Sequence, residues 1–491
     1  MAMILEMRLL DTLWVLWAAA MVFVMQAGFL CLEAGTTRTK NAINVAMKNL
    51  ADFAVSVTVF WLIGFGMMFG VSQGGWLGLS LFGWEMETSN AWLMTVFIFQ
   101  AMFCATAATI VAGAVAERMP FLGYLWTAFW IALLIYPVFG HWAWGGLLGG
   151  TPGWLAARGF VDFAGATVVH SVGGWVALAA VLVIGPRTGR FRDGVNANPF
   201  PAGNLPLAML GALFMILGWF GFNGGSTLAL TSAIPGIIAN TLLGATGGIL
   251  SAMLMGWRIR RYADVMYAIN GAIAGLVAVT AGAHALSLHA AFMLGSVSGV
   301  LMVAASEWLL KKRVDDAVGA IPAHLVTGIW GTLALPWVAN LEALGTSLSR
   351  WEQFQVQLMG VIVCGAWSFG IAWLLLKLSK RIMPLRVSPD AEKMGLNLAE
   401  HGAKNELHQL LEHMRQHERQ GDMRQRIDAD PFTEVGEIAA SYNRVSAALE
   451  RAVGHTRVML RNLRDGVLTW QADGTLTSLN PGAEALFGVQ A

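Results

Sequence analysis

Eleven apolar runs, each long enough to cross a lipid bilayer, limit what this chain can fold into more than any other feature. They fall at about 11–34, 42–70, 91–116, 120–140, 163–185, 204–222, 233–256, 265–283, 287–310, 317–338 and 354–378. In hydrocarbon no water satisfies a bare N–H or C=O, so runs of this length read as helices. The expected fold is an all-α polytopic membrane protein with eleven transmembrane helices and a cytoplasmic helical extension. Charged residues make up 12% of the chain, about half of the ~25% typical of soluble domains. The 56 glycines agree, because small residues let spans approach where leucine gains nothing over lipid.

The loops between these runs carry positive charge on one side only. Arg38 and Lys40; Arg118; Arg187, Arg190 and Arg192; Arg258, Arg260 and Arg261; Lys311, Lys312 and Arg313; and Lys377, Lys380, Arg381 and Arg386 occupy alternate loops. The intervening loops hold little beyond Arg158 and Arg350. The positive-inside rule then puts the N-terminus outside and the C-terminus in the cytoplasm, with a bacterial inner membrane as the expected location. Arg8 stands between Glu6 and Asp11, so the first run reads as a retained span and not a cleaved signal. A net charge of +1 offers nucleic acid no handle. Cys31, Cys104 and Cys364 lie far apart in apolar runs, so no disulfide framework, metal site or cofactor follows from them.

Two stretches echo each other. Asp162 precedes His170 by eight positions, and Asp316 precedes His324 by eight. A glycine follows each histidine at the fourth position, Gly174 and Gly328, with Trp175 and Trp330 just beyond. Each Asp opens an apolar run and reads as an N-cap. Eight residues at about 1.5 Å each would carry each imidazole roughly 12 Å into its helix. The histidines sit in the fifth and tenth runs, the last of two sets of five. An odd set inserted twice emerges upside down, giving an inverted 5+5 repeat that brings His170 and His324 together near the midplane. Ionisable side chains at that depth point to function. His141, His284 and His289, nearer predicted span ends, read as interfacial.

Beyond Met383-Pro384 the chain becomes polar. We divide it into a membrane domain (1–390), a cytoplasmic tail and helical linker (391–455) and a final segment (456–491). Asp428-Ala429-Asp430-Pro431 breaks the polar stretch. Val435, Ile438, Tyr442, Val445, Leu449 and Ala452 then recur at spacings of three and four, the seam of a packed helix. Residues 465–470 and 473–480 alternate like two strands around Asp473-Gly474.

The membrane part resembles the ammonium transporter (Amt/Mep/Rh) family over roughly residues 10–405. The resemblance rests on Glu33-Ala34-Gly35, Phe99-Gln100-Ala101-Met102-Phe103, Glu117-Arg118, Trp144-Gly145-Gly146 and Asp162-Phe163-Ala164-Gly165 with His170. It continues through Gly218-Trp219-Phe220-Gly221-Phe222-Asn223-Gly224-Gly225-Ser226, Asp315-Asp316 with His324, and Gly395-Leu396 with His401-Gly402. It implies a homotrimer with one pore per subunit and a cytoplasmic tail packed beneath. It also implies that Phe103, Trp144 and Ser226 form an ammonium recruitment site supported by Asp162. Phe103 and Phe222 would gate the pore, and His170 and His324 would line it. Pro322 departs from the family's lead-in to the second histidine, so the local backbone there is expected to differ. Residues 430–443 resemble the second half of a HAMP-type linker, and 456–491, with Asn480-Pro481-Gly482, resemble the opening of a PAS domain. The expected partners are therefore ammonium or ammonia, membrane lipid, two further copies of the chain, and a cytoplasmic signalling output or PII-type regulator.

The chemistry agrees with that expectation. A bare ammonium ion in hydrocarbon carries a Born penalty of tens of kcal/mol, whereas ammonia costs only an unpaired polar group. A phenyl-lined pore therefore favours binding as the cation and passage as ammonia. Trp144 and Phe103 would each offer the cation about 2 kcal/mol through their ring faces, and Ser226 would accept a hydrogen bond that potassium cannot donate. Each residue also has a plain reading: most aromatics in such a chain are packing or interfacial belt, and Asp162 is a helix cap first. Two functions stay open, a conducting transporter and a receptor that signals through the tail, with a channel for a neutral solute a weaker third. No nucleophile–base pair or phosphate loop suggests an enzyme.

Overall fold

The computed structural model describes residues 2–191, 197–403, 406–421, 424–428 and 430–488; Arg192, Ala429 and the last three residues lie outside the described residues. The chain forms two compact units, Met1–Gly402 and Ala403–Ala491. Among the described residues of the first, ten helices are long and apolar enough to cross a membrane: Met7–Thr36, Thr39–Phe69, Ala91–Val115, Phe121–Trp144, Ala166–Ile184, Leu205–Gly225, Ile234–Arg260, Leu288–Lys311, Ile321–Val338 and Arg350–Ser379. An eleventh apolar helix, Val265–Thr280, is shorter and takes the eighth place in chain order. The protein is thus a multi-pass, membrane-embedded helical protein, and we number these spans one to eleven.

Small residues set how closely the spans pack. Gly28 on span one and Gly211, Gly218 and Gly221 on span six leave no room for a Cβ against the facing helix. Gly244, Gly248, Gly271, Gly275 and Gly295 do the same among spans seven, eight and nine. This is the packing that replaces hydrophobic burial between helices in lipid.

Spans five and ten, which carry the histidines, both open with a π-helical turn, Ala166–Ser171 and Ile321–Val326. Each Asp does serve the first free N–H groups of its helix, but Gly165 and Ala320, not the Asp residues, hold the N-cap position. The helix starts after the Asp, at Ala166 or Ile321, so each histidine lies in the opening turn, only about 6 Å along or less. Asp162 instead lies below the helix end and gathers its free N–H groups. Its Oδ1 accepts from Gly165 and Ala166 and its Oδ2 from Thr167 and Val168. Asp316 accepts from Gly319 and Ile321 in the same pattern. Pro322 occupies the place of Val168 and has no N–H to donate. The expected difference at Pro322 is therefore one lost cap bond, not a different turn.

The basic loops do more than set topology: Arg118 and Arg187 are buried, and Arg38, Arg187 and Arg190 are paired with acids. Glu117 accepts from Arg38 (2.6 Å) and Arg187 (3.0 Å), and Asp315 pairs with Arg187 (2.8 Å) and Arg190 (3.3 Å). Arg118 is fully buried and donates to the carbonyls of Gly185 and Asp315. Phe200 lies under the Arg38 and Arg187 guanidiniums, 4.2 and 5.0 Å away. Burial pushes the Glu117 carboxyl up, but Arg187 and Arg38 outweigh it and hold it at about 2. Asp315 is held below its ordinary range in the same way, by Arg187 against the effect of burial. The short helix Leu396–His401 closes this end of the same subunit. Leu396 N–H donates to Asn41, Asn397 to the Thr39 carbonyl, and Asn44 to Glu400.

The second unit contains helices Glu406–Gln420 and Glu434–Asn462 around a small core of Leu410, Ile427 and Ala439. Of the expected seam, Val435 and Tyr442 pack on this core, whereas Ile438, Val445 and Leu449 stay exposed. Strands Leu468–Trp470 and Leu476–Leu479 pair antiparallel. Asn480 then caps helix Pro481–Phe487 and ties it to the Val467 N–H and the carbonyls of Leu460 and Asp465.

Candidate functional site

The residues singled out from the sequence form a column through the first unit. At one end stands Trp144, the last residue of span four, with its indole half-buried. Its Nε1 donates to the backbone carbonyl of Asp162 at 2.7 Å, which fixes the plane of the ring. Asp162 thus supports Trp144 through its main chain, while its carboxylate is occupied by the four N–H groups of span five. Burial raises that carboxyl to about 6, and the four donors keep it from rising further. Trp144 and Phe103 meet edge to face, ring centres 6.2 Å apart at 72°.

Phe103 and Phe222 come next, stacked at 3.9 Å and 17°, both fully buried. They stand between the rim and the imidazoles, Phe222 lying 5.4 Å from the His170 ring. Ser226 lies one helical turn from Phe222 on the half-buried rim, and its hydroxyl donates to the Phe222 carbonyl at 2.8 Å. Its lone pairs are left to accept from a guest. Among the described residues no bond joins Ser226 to Trp144 or Phe103; it connects to them through Phe222.

Behind the phenyl pair lie the imidazoles. His170 Nδ1 and His324 Nδ1 are 3.2 Å apart, and the rings lie 5.3 Å apart at 20°. At that distance one nitrogen must donate and the other accept, so the two rings hold opposite tautomers and cannot both be charged. His170 Nε2 is buried with no partner among the described residues. The His+4 glycines of the sequence echo explain the closeness. A Cβ on Gly174 would strike Leu325, and one on Gly328 would strike the Ala166 carbonyl, so each histidine helix rests on the other's glycine.

Residues beyond the sequence selection complete the wall. Trp219 stacks on His170 at 4.9 Å and 16°, held by an indole bond to Thr280. Phe29 stacks on His324 at 6.0 Å. Trp219, Phe222 and Ser226 fall at positions i, i+3 and i+7 of one helix, so the face they share was available from spacing alone. Phe29 had no such spacing signal, since it lies on another helix, span one. Gln100, one turn before Phe103, is buried with its Oε1 unpaired. Of the histidines read as interfacial, His141 is fully buried and bonded to Ser72 and the Met68 carbonyl, a correction; His289 is exposed. Among the described residues no group of three or more metal-ligating side chains occurs.

The Ammonium Transporter Family profile matches residues 13–406 of this chain. Ammonium transporter Amt2 of Archaeoglobus fulgidus is 40% identical over 416 residues, covering 80% of this chain and 87% of the relative. Ammonium transporter 1 member 3 of Solanum lycopersicum is 32% identical over 431 residues, covering 80% and 92%. Among solved structures, one named Sensor Amt Protein superposes with a TM-score of 0.79 at 41% identity, covering 80% of this chain and 99% of its own. Candida albicans Mep2 superposes at 0.70 with 26% identity, covering 78% and 87%.

Proposed function

The chain belongs to the ammonium transporter family, a family of transporters and not enzymes, and on that premise we propose that it binds ammonium at the Trp144–Phe103–Ser226 rim, conducts it as ammonia past His170 and His324, and reports its presence to the cytoplasm. The observation that carries this reading is the single column in which an aromatic rim, a stacked phenyl pair and two bonded imidazoles follow one another. A desolvating ammonium ion gains from the ring faces and from Ser226, whereas the phenyl pair and the dry lumen behind it reject charge. Deprotonation at the rim resolves that conflict. The neutral imidazoles then offer ammonia its polar stations, with the unpaired His170 Nε2 the first of them.

Signalling is the finer part of the proposal. It rests on the likeness to the protein named Sensor Amt Protein and on the HAMP-like and PAS-like sequence of residues 430–491. A plain transporter with a regulatory tail is the second reading, favoured by the relatives named ammonium transporters. We further propose three copies per assembly, the N-terminus outside, the basic end in the cytoplasm, and a signalling module or PII-type regulator as cytoplasmic partner. Growth of transport-deficient cells on low ammonium, paired with ammonium-evoked current from reconstituted protein, tests the conducting arm. Rescue and current are expected, and absence of both with ammonium binding intact leaves the receptor reading alone.

A further inference from the structure

The loop between spans eight and nine ties the rim to the imidazole wall. Thr280, at its start, accepts from the Trp219 indole at 2.8 Å, and Trp219 stacks on His170. The carbonyls of Thr280 and Ala281 accept from the N–H groups of Ala164 (3.2 Å) and Phe163 (2.9 Å). Those two residues follow Asp162, whose own carbonyl fixes the Trp144 ring. The loop is anchored from its other sides as well. Asn240 on span seven donates to the carbonyls of Ala283 and Leu286 at 2.9 and 2.8 Å, and the Asn340 N–H donates to Ala285 at 2.9 Å. Ala281, Ala283 and Ala285 are buried.

In the middle of this loop stands His284, half-buried and packed on Phe163 with ring centres 4.2 Å apart at 35°. Its Nδ1 is buried with no partner among the described residues, and the ring bonds to the Ala343 backbone through its other nitrogen. That donor fixes the tautomer, so Nδ1 carries the bare lone pair of the neutral ring. Burial holds the imidazole below its ordinary range, against the Ala343 bond, which raises it. A proton taken up at Nδ1 therefore makes a cation without an acceptor, lying against the residue that follows Asp162. The charged and titratable groups on the surrounding elements are Asp162, Glu342 beside Ala343, His289 at the start of span nine, and Arg350, which donates to the Pro336 and Ala339 carbonyls. Among the described residues none of them bonds to Nδ1.

We propose that His284 is a positioning residue of the ammonium rim: the neutral ring, stacked on Phe163, steadies the Asp162–Ala164 segment that holds Trp144, and its protonation weakens ammonium binding. The inference rests on the recruitment reading above. Two causes act in the same direction. A cation at Nδ1 repels a second cation at the rim. It also needs an acceptor, and the ring must leave Phe163 to reach one, because a buried donor left unmade is costly. By reciprocity, bound ammonium keeps His284 neutral.

The test measures ammonium Kd by calorimetry on the full chain in detergent, at steps from pH 7.5 to 4.5, for the wild type and for His284→Phe. Ammonium stays protonated throughout that window, so the ligand itself does not change. Phenylalanine keeps a ring on Phe163 and cannot titrate. The wild-type Kd should rise about tenfold more than that of His284→Phe as the pH falls, a coupling of the usual size between two sites. Coinciding profiles would assign any pH dependence to Asp162 or His289 and overturn the inference, with the recruitment site left standing. If His284→Phe does not assemble, His284→Gln, which keeps a donor for Ala343 and cannot titrate, carries the same comparison. A wild type that binds no ammonium at pH 7.5 removes the recruitment reading, and this inference with it.

Discussion

Single residues divide the labour at the rim. Trp144 is held by its indole bond to Asp162, and Trp144→Leu removes a ring face worth about 2 kcal/mol to a desolvating cation. Ammonium Kd measured by calorimetry should rise about thirtyfold, and an unchanged Kd would remove Trp144 from the site. Asp162 is a different case. Because its carboxylate accepts four N–H bonds, Asp162→Ala orphans four buried donors, and loss of folded protein is expected ahead of any change in affinity; size-exclusion yield in detergent reads this directly. Both residues stood out in the sequence, but their division of work did not. Main-chain support of Trp144 and side-chain capping of span five depend on where a loop doubles back, which no local spacing records. Phe29 was harder to place, because it shares no helix-period spacing with the other site residues that would assign it to the column.

At the scale of elements, the pairing of spans five and ten depends on two glycines. Gly174 and Gly328 each seat the partner helix, so Gly328→Val should push the imidazoles apart and abolish ammonia influx, read by an internal pH dye, while ammonium affinity survives. Influx at the wild-type rate would show that the ring contact is not needed. The period of the two Asp–His stretches made this pairing legible, whereas the seating role of the two glycines came only with the structure. The π-turns were not legible, because hydrophobic spacing does not distinguish a π-turn from an α-turn at a helix start. The ion-pair cluster at the basic end has its own signature. Glu117 is held at about 2 against an ordinary 4.5. A depressed carboxyl stabilises the fold fully above its ordinary value and loses that contribution as pH falls through the folded value. About 3 kcal/mol should therefore disappear between roughly pH 4.5 and 2. Thermal unfolding across that window should show a steeper fall for the wild type than for Glu117→Gln, and parallel curves would contradict the assignment.

The whole molecule was the easiest to read and the hardest to finish. Apolar runs of membrane length specify a helical bundle because hydrocarbon tolerates little else, and the span order followed from them directly. The second unit was less legible. Its helix Glu434–Asn462 buries Ala439 and Ser446 and leaves Ile438 and Val445 exposed, so periodicity found the helix but not the face that is covered. Three copies per assembly should give one species of threefold mass by native mass spectrometry from detergent, and a monomer at all concentrations would count against the proposed trimer.

The central claim is that ammonia passes between His170 and His324 after ammonium is caught at the rim. The most direct measurement is ammonia influx and ammonium affinity in proteoliposomes bearing His170→Ala together with His324→Ala. Our account predicts that influx is lost while affinity stays within about threefold of wild type, a difference of well under 1 kcal/mol. Influx at the wild-type rate in the doubly substituted protein would contradict it.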